Sequence, residues 1–339
     1  MHFRSTRSQI FSAALGLFLL ATCSAALAQY QLVNLTSDLS GKAKHKDPLL
    51  KNAWGLVYSP GNPFWVSDEA SGWSTLYDGQ GNPQSLQVII PSASGTGSGS
   101  PTGIVYNGST EFKIDSWTSV FLFATLDGTI SGWSSFDPST ALIGAKTAGA
   151  VYTGLAITSK PSGNTLFAAD TANNKVDMFD GSFNLKGSFT DPAIPAGFAP
   201  FGIQDIKGQV YVSFASTSGG AGGYIDIFTE AGVLVKHFAH GTPLNQPWGF
   251  AVAPANFGTL SNALLISNNT SAGTINGYNL STGKLIGTMM NTAGKPLTIN
   301  GLWGIEFGGG TASNGQKNQL FFTAGPNDTD GYFGVIGFK

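Results

Sequence analysis

Asp68, Asp170 and Asn268 each close a short β-prone run: Phe64-Trp65-Val66-Ser67, Leu166-Phe167-Ala168-Ala169 and Leu264-Leu265-Ile266-Ser267. Oxygen-bearing side chains at equivalent places, converging on one axis, could hold calcium, which takes six to eight oxygen ligands. Glu69, Asn173 and Asn269 lie just beyond these runs, and Asn52, Trp54, Trp248 and Trp303 stand at the start of others. Indole rings beside carboxylates and amides suit a small polar ligand or a glycan: the ring stacks on an apolar face while the polar groups bond hydroxyls. The same residue types also have a purely structural use. Tryptophans can plug an axis, and Asp and Asn side chains close local turns.

A second candidate is Glu306, which with Gln204 is polar in a column otherwise held by Val57, Val105, Ala156 and Ala251. A near-axial carboxyl raised by burial could act as a general base, or could simply be satisfied by backbone N–H groups. His237 and His240 are three apart in a strand-like run, so their rings point to opposite faces and should not share a metal. His45 lies in the basic run 42–46, expected to be a solvated loop. The chain contains no Gly-x-Ser-x-Gly elbow, phosphate loop or Cys/His cluster, and no catalytic residue set is assigned.

The elements that must position these residues are set by a recurring phrase. Trp54-Gly55-Leu56, Thr102-Gly103-Ile104, Thr153-Gly154-Leu155, Phe201-Gly202-Ile203, Trp248-Gly249-Phe250 and Trp303-Gly304-Ile305 are spaced by 48, 51, 48, 47 and 55 residues. A period near 50 marks an array or propeller. Each repeat supplies a strand after its glycine, a second strongly β-prone run and a third alternating one. Five supply a fourth: 86–90, 142–145, 185–189, 233–238 and 285–289. The sixth has none, but Gln31-Leu32-Val33-Asn34-Leu35 has the right pattern and no repeat of its own.

The expectation is an all-β, six-bladed β-propeller with four-stranded blades, its ring closed by the N-terminal strand completing the last blade. Closure protects the sheet edges. The repeat glycines would stand where inner strands crowd the axis and a side chain would clash. The apolar residue after each glycine should pack between blades. This mapping puts Asn52, Trp54, Trp248, Trp303, Asp68, Glu69, Asp170, Asn173, Asn268 and Asn269 on one axial face.

The chain has 339 residues, net charge −2, 46 glycines and one cysteine. Arg4 and Arg7, an apolar stretch from Ile10 to Ala21 and Ala26-Leu27-Ala28 read as a signal peptide over 1–28, cleaved near Ala28. The remainder, 29–339, reads as one propeller domain, periplasmic or extracellular. Acylation at Cys23 as a lipoprotein is the alternative. With the leader removed the net charge becomes −4, which does not suit a nucleic-acid partner. No later segment is long and apolar enough for a transmembrane anchor, and a closed ring is expected to be a monomer.

The segment Thr165 to Asp180, with Ala168-Ala169-Asp170-Thr171-Ala172-Asn173-Asn174-Lys175-Val176 at its centre, resembles an NHL-type repeat, a unit of six-bladed propellers. The chain also resembles a family of exported, largely uncharacterised bacterial propeller proteins that open with the phrase Asn52-Ala53-Trp54-Gly55-Leu56. Gluconolactonase-like propellers hold a catalytic metal on their axis, with a glutamate at the start of an inner strand. Here no glutamate precedes a repeat glycine, and Glu306 lies two residues after Gly304.

Three functions remain open at this point. The leading one is a non-catalytic module binding a small polar ligand, glycan or protein at Trp54, Trp248, Trp303, Asp68, Glu69, Asp170, Asn268 and Asn269. The second is a cation-dependent hydrolase or lactonase, with Ca2+ or another divalent cation at Asp68, Asp170, Asn268 or Glu306. The third is a structural envelope component.

Overall fold

The structure is a computed structural model that describes residues 1–2, 30–159 and 163–338. The expected leader, its cleavage near Ala28 and Cys23 fall outside the described residues. The chain forms six four-stranded antiparallel blades around an axis. Blade 1 comprises Ala53–Tyr58, Phe64–Asp68, Trp73–Tyr77 and Pro83–Ile89. Blade 2 comprises Pro101–Tyr106, Phe121–Thr125, Thr129–Trp133 and Leu142–Lys146. Blade 3 comprises Tyr152–Thr158, Thr165–Asp170, Lys175–Phe179 and Leu185–Phe189.

Blade 4 runs through Phe198–Ile206, Gln209–Ser216, Tyr224–Thr229 and Leu234–His240. Blade 5 runs through Pro247–Val252, Ala263–Asn268, Ile275–Asn279 and Leu285–Thr288. In blade 6, Leu302–Phe307, Leu320–Ala324 and Tyr332–Phe338 are completed by Tyr30–Ser37. That last pairing is antiparallel, with Val33 opposite Val335, so the N-terminal strand does close the ring. Among the described residues no helix is long and apolar enough to cross a membrane.

Two details depart from the sequence reading. His45–Lys46 is not a free loop but a short strand parallel to Tyr30–Ser37 at the outer edge of blade 6. An unforeseen hairpin, Lys113–Ile114 with Trp117–Thr118, interrupts blade 2.

Six apolar clusters each straddle two adjacent blades. Leu56, Ile104, Leu155, Ile203, Phe250 and Ile305 each belong to a different one, so the residue after every repeat glycine does pack between blades. Burial of each stabilises the ring by about 1.5–3 kcal/mol. The glycines are required by close approach. A Cβ on Gly55, Gly154, Gly249 or Gly304 would lie 2.5–2.9 Å from a carbonyl oxygen of the next inner strand.

The same crowding is used for hydrogen bonding. Gly249 N–H donates to Ser267 Oγ (2.8 Å), which donates to the Trp303 carbonyl of the next blade (2.6 Å). Gly304, Thr323 and the Trp54 carbonyl repeat the relay from blade 6 to blade 1 (2.9 and 2.6 Å). Blade 3 has Ala169 in the place of Ser267, and its inner-strand Thr153 bonds the Phe201 carbonyl instead (2.8 Å).

Candidate functional site

The structure brings Trp54, Trp248 and Trp303 together where the inner strands begin, with Leu126 and Phe201 packed against them. Trp54 and Trp303 stack at 3.5 Å, and Trp248 meets both edge-on at 6.0 and 5.6 Å. None is more than 8% exposed. Trp303 Nε1 donates to Asn52 Oδ1 (3.2 Å), Asn52 Nδ2 donates to Glu69 Oε2 (2.7 Å), and Trp248 Nε1 donates to the Thr153 carbonyl (2.8 Å). Two indole faces lie against each other, the third ring packs edge-on to both, and the three nearly buried side chains fill this end of the axis.

Asp68, Asp170 and Asn268 line neither axial cavity described below. Each is buried and engaged locally. Asp68 Oδ2 accepts from Thr75 Oγ1 (2.7 Å) while its Oδ1 has no hydrogen-bond partner among the described residues, and burial, reinforced by the Asp47 charge, pushes its carboxyl well above the usual range. Asp170 accepts from the Val151 N–H (3.1 Å) and from Asn173 Nδ2 (2.7 Å). Asn268 Nδ2 donates to the Pro243 carbonyl (2.7 Å), and its Oδ1 accepts from the Asn245 N–H (3.0 Å). Asn269 Nδ2 donates to the Leu302 carbonyl (3.2 Å).

The open space lies further along the axis. A narrow cavity of about 40 Å³, bordered by Trp248 and by Gly55, Gly103, Gly249 and Gly304, reaches Gln204 and Glu306. These two residues also line a cavity of about 340 Å³ where the inner strands end, with Tyr58, Tyr106, Asp205 and apolar Val57, Val105 and Ile157. That volume is within the range of small-molecule sites. Burial pushes the Glu306 carboxyl up to about 7, with only the Phe307 backbone N–H opposing. Burial, and then the Glu306 charge, raise the Tyr58 phenol. Asp205 is raised by burial, and its Oδ2 has no hydrogen-bond partner among the described residues.

A carboxyl near its midpoint at neutral pH can donate or accept a proton. The two phenols and the amide offer further donors and acceptors on an otherwise apolar wall. Tyr58, Tyr106 and Asp205 escaped the sequence reading. Their signal was available, since each directly follows a residue of the column that holds Gln204 and Glu306.

A separate polar cluster lies on the outer half of blade 4, where His237 approaches two buried carboxylates, Asp191 and Asp226. His240 is not part of it and stacks on Tyr224 (6.2 Å).

No protein-family model matches the chain. Among solved structures it resembles a streptogramin B lyase (14% identity, 92% of this chain and 98% of that one, TM-score 0.55). It also resembles a gluconolactonase from Xanthomonas campestris (15% identity, 86% and 88% covered, TM-score 0.54). At such identities the likeness shows the six-bladed fold. Among curated sequences, uncharacterized protein L690 of Acanthamoeba polyphaga mimivirus is 29% identical over 92% of this chain and 86% of its own length. Uncharacterized protein R648 of the same virus is 30% identical over 92% of this chain and 81% of its own length. The chain belongs to the same family as R648.

Proposed function

We propose that this protein binds a small polar ligand, of sugar or sugar-acid type, in the axial cavity where the inner strands end. The observation that supports this most is Glu306: a carboxyl lifted to about 7 by burial, beside Gln204, facing a cavity of about 340 Å³. Tyr58 and Tyr106 supply ring surface and hydroxyls. In this reading the tryptophans are the closed end of the axis and not the ligand platform, and Asp68, Asp170 and Asn268 hold turns. The leader read in the sequence would export the chain.

A second reading is turnover in the same cavity, with ionised Glu306 as general base toward water and a lactone or ester. The raised carboxyl favours it, and two fold neighbours are a lyase and a gluconolactonase. A thermal-shift panel of monosaccharides, aldonic acids and aldonolactones tests the first reading. At least one compound should stabilise the chain and lose its effect in Glu306→Ala with Gln204→Ala. A panel without any shift, or shifts indifferent to both substitutions, would reject it. Lactone hydrolysis followed in the same samples decides for or against turnover.

A further inference from the structure

We propose that Asp191, Asp226 and His237 bind one divalent transition cation, with Zn2+ the best fit, on the outer half of blade 4. Asp226 lies on the third strand, His237 opposite it on the outer strand, and Asp191 in the link from blade 3. His237 Nδ1 is 3.1 Å from Asp226 Oδ1 and 3.2 Å from Asp191 Oδ2. With zinc–ligand bonds of 2.0–2.1 Å, the edge of a tetrahedral shell is about 3.4 Å. The three donors are therefore nearly in position, and small movements would admit the ion.

Two further observations point to a ligand. Asp226 is 1% exposed, yet its Oδ2 has no hydrogen-bond partner among the described residues. Its counterpart in blade 3, Asp177, is neutralised by Lys175 Nζ at 2.8 Å and also accepts from the Tyr152 hydroxyl. Blade 4 has Tyr224 in the place of Lys175 and puts a second acid beside Asp226. Asp191 is itself held in place, because its Oδ1 accepts from the Ala193 N–H at 2.9 Å, leaving Oδ2 turned to the cluster.

Two buried carboxylates repel each other unless a proton, the His237 ring N–H or a metal ion lies between them. Imidazole with two carboxylates is a donor set for zinc or manganese more than for calcium, which favours oxygen alone. His237 is 54% exposed at its side chain, so water could complete the shell. A bound ion would tie the link between blades 3 and 4 to both outer strands of blade 4.

The test is calorimetric titration of the chelator-treated full chain with ZnCl2. One equivalent should bind, and His237→Ala and Asp226→Asn should each weaken it by about 100-fold or more, beyond the loss of a supporting contact. His240→Ala should bind like wild type. His237 is exposed, so its variant keeps the test valid if Asp226→Asn misfolds. Titration with Co2+ should give a visible absorption band that His237→Ala abolishes. Absence of saturable Zn2+ binding, or binding undiminished in His237→Ala, would overturn the proposal.

Discussion

Trp54 and Trp303 stack face to face, with centroids 3.5 Å apart and planes inclined by 19°. They come from the first and last blades, so this contact lies across the seam of the ring. The Asn52 amide fixes Trp303 from the blade 1 side through its Nε1. Trp303→Ala should cost about 3–5 kcal/mol, the usual effect of removing a large buried ring. Urea unfolding measures it, and a loss below about 1 kcal/mol would show that the indoles do not hold the seam.

The repeat glycines make a sharper demand. A Cβ at Gly249 would stand 2.7 Å from the Trp303 carbonyl oxygen and 2.8 Å from Ser267 Oγ. Gly249→Ala should destabilise by about 1–3 kcal/mol through overpacking. Gly287, on an outer strand with nothing within 4 Å of an added Cβ, is the control, and Gly287→Ala should stay within about 0.5 kcal/mol of wild type.

Closure by the N-terminal strand gives a third prediction. Tyr30 and Leu35 are almost fully buried, and the Tyr30 hydroxyl donates to the Phe257 carbonyl of blade 5 (2.7 Å). Deleting residues 29–38 should remove these contacts and expose the edge of blade 6. The thermal transition should fall steeply or disappear, and an unchanged transition would contradict the ring closure.

Glu306 predicts a pH dependence. Its carboxyl is raised from 4.5 to about 7 in the folded chain, so between those values the native state binds more protons than the unfolded one. Stability from this group is fully present below pH 4.5 and is lost as pH rises through about 7, to the extent of about 3 kcal/mol. Glu306→Gln should flatten that part of the stability profile relative to wild type. Parallel profiles for the two proteins would show that Glu306 is not protonated at mildly acid pH.

The propeller was legible because its determinants are local and repeat. A glycine every 50 or so residues, and a fourth strand missing from one end and spare at the other, specify blades and closure without any knowledge of packing. The open end of the axis was not legible in this way. That Trp54 and Trp303 stack on each other while Trp248 meets both edge-on is a tertiary fact that the sequence does not carry. Asp68, Asp170 and Asn268 form a column in sequence, but Asp170 and Asn268 bond the backbone of nearby loops and Asp68 bonds Thr75 on the next strand of its blade. Asp226 and His237 meet through strand pairing, and Asp191 joins them from the link between blades 3 and 4, a meeting that no local spacing announces. Thr153 taking over where Ala169 lacks a hydroxyl was equally hidden, since the substitute sits on a different strand.

The most direct measurement is a crystal structure of the chain soaked with the sugar, aldonic acid or lactone that gives the largest thermal shift. The ligand should lie in the axial cavity within hydrogen-bond distance of Glu306 and Gln204, with the three indoles unmoved. Density for it over the tryptophan end, or anywhere off the axis with the cavity holding only water, would contradict the assignment.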